Sequence, residues 1–110
     1  MTGVQTCALP ISQIVVQLAA YDATVMDYIG GHGIVAIFTN GDPEDSDATV
    51  LLRADIDALP VVETTGVDYA SKNGNMHACG HDMHATALLG LCAILDAHWD
   101  KWRGTVIALF

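Results

Sequence analysis

From His77 to His84 the chain reads His-Ala-Cys-Gly-His-Asp-Met-His, which puts three imidazoles, one thiol and one carboxylate into eight residues. Each of these groups binds a transition metal once deprotonated. Three of the five histidines of the chain fall in this segment. The small Ala78 and the flexible Gly80 separate the donors, and glycine lets the backbone bend enough for neighbouring side chains to face one point. One reading is a metal site built around Cys79 and His81. The other is a polar turn that caps the following helix, with Asp82 as N-cap. Cys-x-His is a less specific signal than paired Cys-x-x-Cys. It also supplies too few ligands for a catalytic zinc site, which uses three plus water. More ligands must come from elsewhere in the chain.

A second chemical group lies upstream, in Leu51-Leu52-Arg53-Ala54-Asp55-Ile56-Asp57-Ala58-Leu59-Pro60. Asp55 and Asp57 are two apart, so in an extended segment they share a face. Arg53 shares that face and can neutralise one of them. A ligand-gathering pair of carboxylates at the end of a strand competes here with a solvated strand end carrying a surface ion pair.

Both groups need elements to hold them. The run Ala48–Leu52 is apolar and partly β-branched and suits a buried strand over 48–54, with the carboxylates at its carboxyl end, where open α/β sheets gather ligands. The apolar run from Ala87 to Leu95 predicts a buried helix from Asp82 to about His98, so the His/Cys group sits where a loop enters that helix. Apolar positions at Ile14, Val15, Leu18, Val25, Met26 and Ile29 predict an amphipathic helix over 13–29, ended by Gly30-Gly31. Gly33–Thr39 reads as a strand with Asn40-Gly41-Asp42 as a turn signal, and Gly104 opens a last strand. The link 60–76 is loop-like. Trp99 and Trp102 are expected to pack the turn before the last strand. Cys92 reads as a small core residue, and His32 and His98 as surface or turn residues.

Together the two motifs, Leu-Arg-Ala-Asp-Ile-Asp-Ala-Leu-Pro and then Met76-His77-Ala78-Cys79-Gly80-His81-Asp82-Met83-His84, resemble the metallopeptidase family M20. The closer resemblance is to its amidohydrolase branch, which includes hippurate hydrolases, indole-acetyl-amino-acid hydrolases and N-acetyl-diaminopimelate deacetylases. The link Val61–Ser71 and the ending Gly104–Phe110 share the family look, and the resemblance runs from about residue 13 to the last residue. It implies an α/β fold: part of the catalytic domain of a di-metal hydrolase, a mixed sheet flanked by helices. It implies hydrolysis of the amide bond of N-acyl amino acids or related amides at two divalent metal ions, manganese or zinc. Cys79 and His81 would be metal ligands. Asp55 and Asp57 would be catalytic residues beside the metals, orienting His or ligand groups, and Asp82 and His84 would hold ligands in the right orientation. The full-length protein would be a homodimer.

After the strand at Gly104–Phe110, family members continue with a Gln-Pro-Ala-Glu-Glu segment whose glutamates supply the general base and a further ligand. The only glutamates here are Glu44 and Glu63, and neither takes that position. The 110 residues are therefore expected to be an amino-terminal fragment, with incompletely ligated metals and no meaningful amidase activity. Residues 13–110 are read as the amino-terminal part of the catalytic domain. Residues 1–12 have no family counterpart and read as a non-native leader resembling a translated sequencing adapter, which would leave Cys7 without biological meaning; the alternative is a short natural leader. Two other functional readings stay open: a small non-catalytic metal-binding module using Cys79, His81 and His84, and a non-functional translation of an incomplete gene.

Composition agrees with one small cytoplasmic domain. Four Lys/Arg stand against thirteen Asp/Glu, a net charge of −9, which argues against nucleic acid and anionic membrane as partners. The acidic run Asp42–Asp47 reads as a solvated hairpin loop rather than a calcium site. Three cysteines make no disulfide framework, and no apolar run reaches membrane-spanning length.

Overall fold

The computed structural model describes residues 8–42 and 48–110 of the chain. The elements run α1 (Ala8–Leu18), β1 (Thr24–Ile29), β2 (Gly33–Asn40), β3 (Thr49–Arg53), α2 (His81–Ala97), a short 3-10 turn (Trp99–Lys101) and β4 (Gly104–Leu109). The strands form one mixed sheet in the order β1-β2-β4-β3. β1 pairs antiparallel with β2, β2 antiparallel with β4, and β3 parallel with β4. The parallel pair is joined through α2, as parallel neighbours require a long crossover.

The core lies between the sheet and the two helices. Ile34, Ala36 and Phe38 alternate along β2 and point to one face, where they are buried with Ala108 and Phe110. Ile14 and Leu18 of α1, one turn apart, and Ala85, Leu88 and Cys92 of α2 complete the same cluster. The end of α2 is tied to the sheet by Asn40, whose Nδ2 donates to the carbonyls of Trp99 (2.6 Å) and Trp102 (2.7 Å). The two indoles pack 5.0 Å apart, so they form the turn before β4 as expected. Gly104 allows β4 to start there. Its φ is 114°, and a Cβ at this position would sit 2.5 Å from the Ala48 carbonyl oxygen. Among the described residues no helix is long and apolar enough to cross a membrane.

Several expectations need correction. The helix expected over 13–29 ends at Leu18, and residues 24–29 form β1 instead. Thr24, Val25, Tyr28 and Ile29 are β-branched or aromatic, and pairing with β2 outweighs the helical spacing of their apolar neighbours. Gly30-Gly31, read as a helix stop, is the hairpin turn, with φ of 63° and 109°. Next to it Tyr28 takes a φ of 56° where the register slips between Met26 and Ile29. β2 and β3 do not pair as a hairpin, because β4 lies between them; residues 43–47 of the acidic run expected to join them lie outside the described residues. The strand over 48–54 is present as β3, yet Thr49–Arg53 are exposed rather than buried, since β3 is the edge of the sheet. Of the expected leader, residues 1–7 lie outside the described residues and 8–12 are the first turns of α1.

Candidate metal centre

Asp55 and Asp57 follow directly on Arg53, the last residue of β3, and are half-buried. They therefore sit at the carboxyl end of a parallel strand, beside the carboxyl end of β4. The chain then runs through Leu59, which pairs with Met76 by two backbone hydrogen bonds of 2.8 Å. This bridge closes the loop between them and returns the chain to the sheet. Gly80, with a φ of 92°, is the N-cap of α2, and His81 is its first residue. Asp82 is thus one position inside the helix and not its cap, because the left-handed conformation that opens the helix falls to the glycine.

This path brings His81 against both aspartates, 24 residues from Asp57 in sequence. His81 Nδ1 lies 2.6 Å from Asp57 Oδ1, and His81 Nε2 lies 3.8 Å from Asp55 Oδ2. An ionised carboxylate only accepts, so Nδ1 carries the hydrogen and donates it to Asp57; in a neutral ring Nε2 then presents its lone pair toward Asp55. Arg53 Nη2 stands 3.0 Å from the other oxygen of Asp55, the neutralisation expected from their shared face. Among the described residues, Asp55, Asp57 and His81 are the one group of three whose donor atoms all lie within 4.8 Å of one another. The donor set suits a divalent cation. The Asp55–Nε2 gap is too long for a hydrogen bond, and it approaches the separation of two ligands each about 2 Å from one ion. A carboxylate–histidine pair such as Asp57–His81 is the usual device for orienting a metal-binding imidazole.

The other residues singled out from sequence fall around this group. Cys79 is an exposed free thiol one residue before the N-cap, outside the three-residue set. His84, one turn along α2, stacks on His81 with ring centroids 6.0 Å apart. Asp82 lines a separate hollow with Gln13 and His77, and its carbonyl accepts from Thr86 Oγ1. Glu63 is engaged in the 60–75 loop, where the Thr65 hydroxyl and the Ser71 amide donate to it and hold its carboxyl below the usual range. A cavity of about 420 Å³ opens beside Asp55 and Asp57, lined also by Arg53, His32, Leu109 and Phe110. His32, read from sequence as a surface or turn residue, does lie in the β1–β2 turn, and it also stands at the rim of the site. Its place in the hairpin turn before β2 carries no local signal that Phe110, whose backbone pairs with Ile34, will lie beside it.

Residues 51–110 match the model of peptidase family M20/M25/M40. The chain is 48% identical over 75 residues to the N-acetyl-L-cysteine deacetylase of Bacillus subtilis, covering 67% of this chain and 18% of that protein. It is 52% identical over 58 residues to the N-acetyldiaminopimelate deacetylase of Oenococcus oeni, covering 52% of this chain and 15% of that protein. The chain thus spans less than a fifth of the length of these two curated relatives. Among solved structures, a dinuclear metal-binding peptidase from family M20 of Bacillus subtilis superposes with a TM-score of 0.80 at 31% identity. That match covers 94% of this chain and 29% of the solved one.

Proposed function

Because the chain belongs to peptidase family M20/M25/M40, we propose that Asp55, Asp57 and His81 contribute to the divalent-metal centre of an amidohydrolase that cleaves N-acyl amino acids or related amides. The observation that carries this reading is the His81 ring, anchored on one nitrogen by Asp57 and separated from Asp55 by 3.8 Å on the other. A lone pair facing a carboxylate oxygen across that gap is repulsive, and a cation between them turns the repulsion into attraction. The substrate class follows the relatives, which are deacetylases of N-acetylated amino acids by name. Manganese or zinc, as two ions, fits the oxygen, nitrogen and sulfur donors of Asp55, His81 and Cys79.

In this reading Asp57 keeps the proton on Nδ1 and fixes the ring, so that Nε2 is the ligating nitrogen. Asp55 supplies an oxygen on the facing side. Cys79, just before the first turn of α2, is the candidate thiolate ligand, and His84 packs the His81 ring from one turn further on. Leu109 and Phe110 form part of the wall of the adjoining cavity. Divalent metal bound at this centre supplies polarisation of the amide carbonyl and activation of water. By the same family reasoning we propose a homodimer, and a cytoplasmic location, which suits the free thiols of Cys79 and Cys92.

The test is calorimetric titration of the 110-residue chain with Mn²⁺ and Zn²⁺, alongside His81→Ala and Cys79→Ala. Binding that disappears in His81→Ala and weakens in Cys79→Ala is expected. Equal binding by all three proteins would overturn the assignment.

A further inference from the structure

The two oxygens of Asp55 face two different cation positions. Oδ1 is 3.0 Å from the Arg53 guanidinium, and Oδ2 looks across 3.8 Å to His81 Nε2. Arg53 ends β3 and Asp55 lies two residues on, so the pair project to the same side. A guanidinium stays charged at every accessible pH. A fixed positive charge on a ligand carboxylate draws on the charge that a metal would use, and it repels a second cation a few ångströms away.

We propose that Arg53 is a resident competitor at the metal centre: it neutralises Asp55 and so lowers the affinity of the Asp55–His81 gap for divalent cations. This rests on the reading of that gap as a metal position. The charge leaves the centre able to release and exchange its ion, and it keeps Asp55 satisfied whenever the gap holds none. The opposite role is also physically defined. If Arg53 served mainly to hold Asp55 in place for the metal, its removal would weaken binding. The two roles thus differ in sign. With the Arg53 side chain 66% exposed and that of Asp55 34% exposed, solvent and salt screen the effect to a few-fold.

The experiment measures Co²⁺ affinity by competition with a chromophoric chelator on the full chain, its Arg53→Gln and Arg53→Lys variants, and both backgrounds of Asp55→Asn. Arg53→Gln should bind Co²⁺ roughly three- to ten-fold tighter at low ionic strength, with the gain shrinking at about 0.5 M salt as screening shortens its reach. Arg53→Lys, which keeps the charge, should stay near the parent. In the Asp55→Asn background, Arg53→Gln should add little. Unchanged or weaker binding by Arg53→Gln, or an equal gain without Asp55, would overturn the proposal. Binding that survives His81→Ala would instead remove the metal-centre reading itself and this inference with it. Normal His81-dependent binding with no Arg53 effect removes only the inference.

Discussion

Replacing Asp57 by Asn separates the orienting role of this residue from a merely structural one. Asn keeps the size and an oxygen, but it loses the charge that holds the hydrogen on Nδ1, and its amide nitrogen can donate instead. The bond at stake spans 2.6 Å, and a hydrogen bond to a charged group contributes about 1.5–3 kcal/mol when shielded. Here the side chains of His81 and Asp57 are 24% and 45% exposed, so solvent screening reduces the stability term toward about 1 kcal/mol. The metal term is larger. Losing the partner that orients a ligating imidazole typically weakens metal binding about 10- to 100-fold, or roughly 1.4–2.8 kcal/mol. Asp57→Asn should therefore lower Zn²⁺ affinity by at least about ten-fold, while the urea midpoint falls by no more than roughly 0.3–1 M. Nitrogen-detected NMR of the His81 ring should show the Nδ1–H tautomer in the parent and a mixture in the variant. A variant that binds zinc like the parent, with the same tautomer, would refute the reasoning. So would a stability loss that exceeds the loss in affinity.

Other outcomes follow from the fold. Burial pushes the Cys92 thiol from 9.0 up to about 11. The neutral thiol is thus favoured in the folded state, so its contribution to stability is complete below pH 9 and is lost as pH rises toward 11; denaturant midpoints across that range should fall. In the native protein iodoacetamide should label exposed Cys79 and spare buried Cys92, as peptide mass spectrometry would show. Gly104→Ala forces a methyl against the Ala48 carbonyl oxygen at a φ of 114°, and should destabilise the chain by about 2 kcal/mol or more in thermal unfolding. Asn40→Leu removes both bonds to the Trp99 and Trp102 carbonyls, with an expected loss of about 1–3 kcal/mol and a change in tryptophan fluorescence.

Where local residue patterns and tertiary pairing agree, the fold is readable in the sequence. β2, β4 and α2 lie close to their expected spans because glycine and turn signals bound the short, partly β-branched apolar runs at Ile34–Phe38 and Thr105–Leu109, whereas the longer apolar run from Ala87 to Leu95 has helical length. β1 was hidden because Val25, Met26 and Ile29 also fit a helical spacing; what decides it is the partner strand across Gly30-Gly31, which no local window contains. The order β2-β4-β3 was equally hidden. β4 comes from the far end of the chain and inserts between two strands that are sequence neighbours, so Asn40-Gly41-Asp42 looks like a hairpin and is not one. At the site, residue types pointed to Asp55, Asp57 and His81, together with Cys79, which lies outside the three-residue group; two-residue spacing put Arg53 on the face of both aspartates, and the structure selects Asp55 as its partner. The assignment of Asp57 rather than Asp55 to Nδ1 depends on how α2 is seated, through Gly80 and the Leu59–Met76 bridge. His32 enters the picture only through the seating of the β1–β2 turn beside Phe110.

The Leu59–Met76 bridge has a consequence for how much of this chain can vary. Asp57 and His81 are 24 residues apart, yet with the two strands of backbone clasped at 59 and 76 the effective tether between them omits residues 60–75. Closure entropy for such a pinched-off segment grows only logarithmically, about 0.6 kcal/mol for each doubling of its length. On this account lengthening the segment costs little, while the clasp keeps the histidine and the two carboxylates in register.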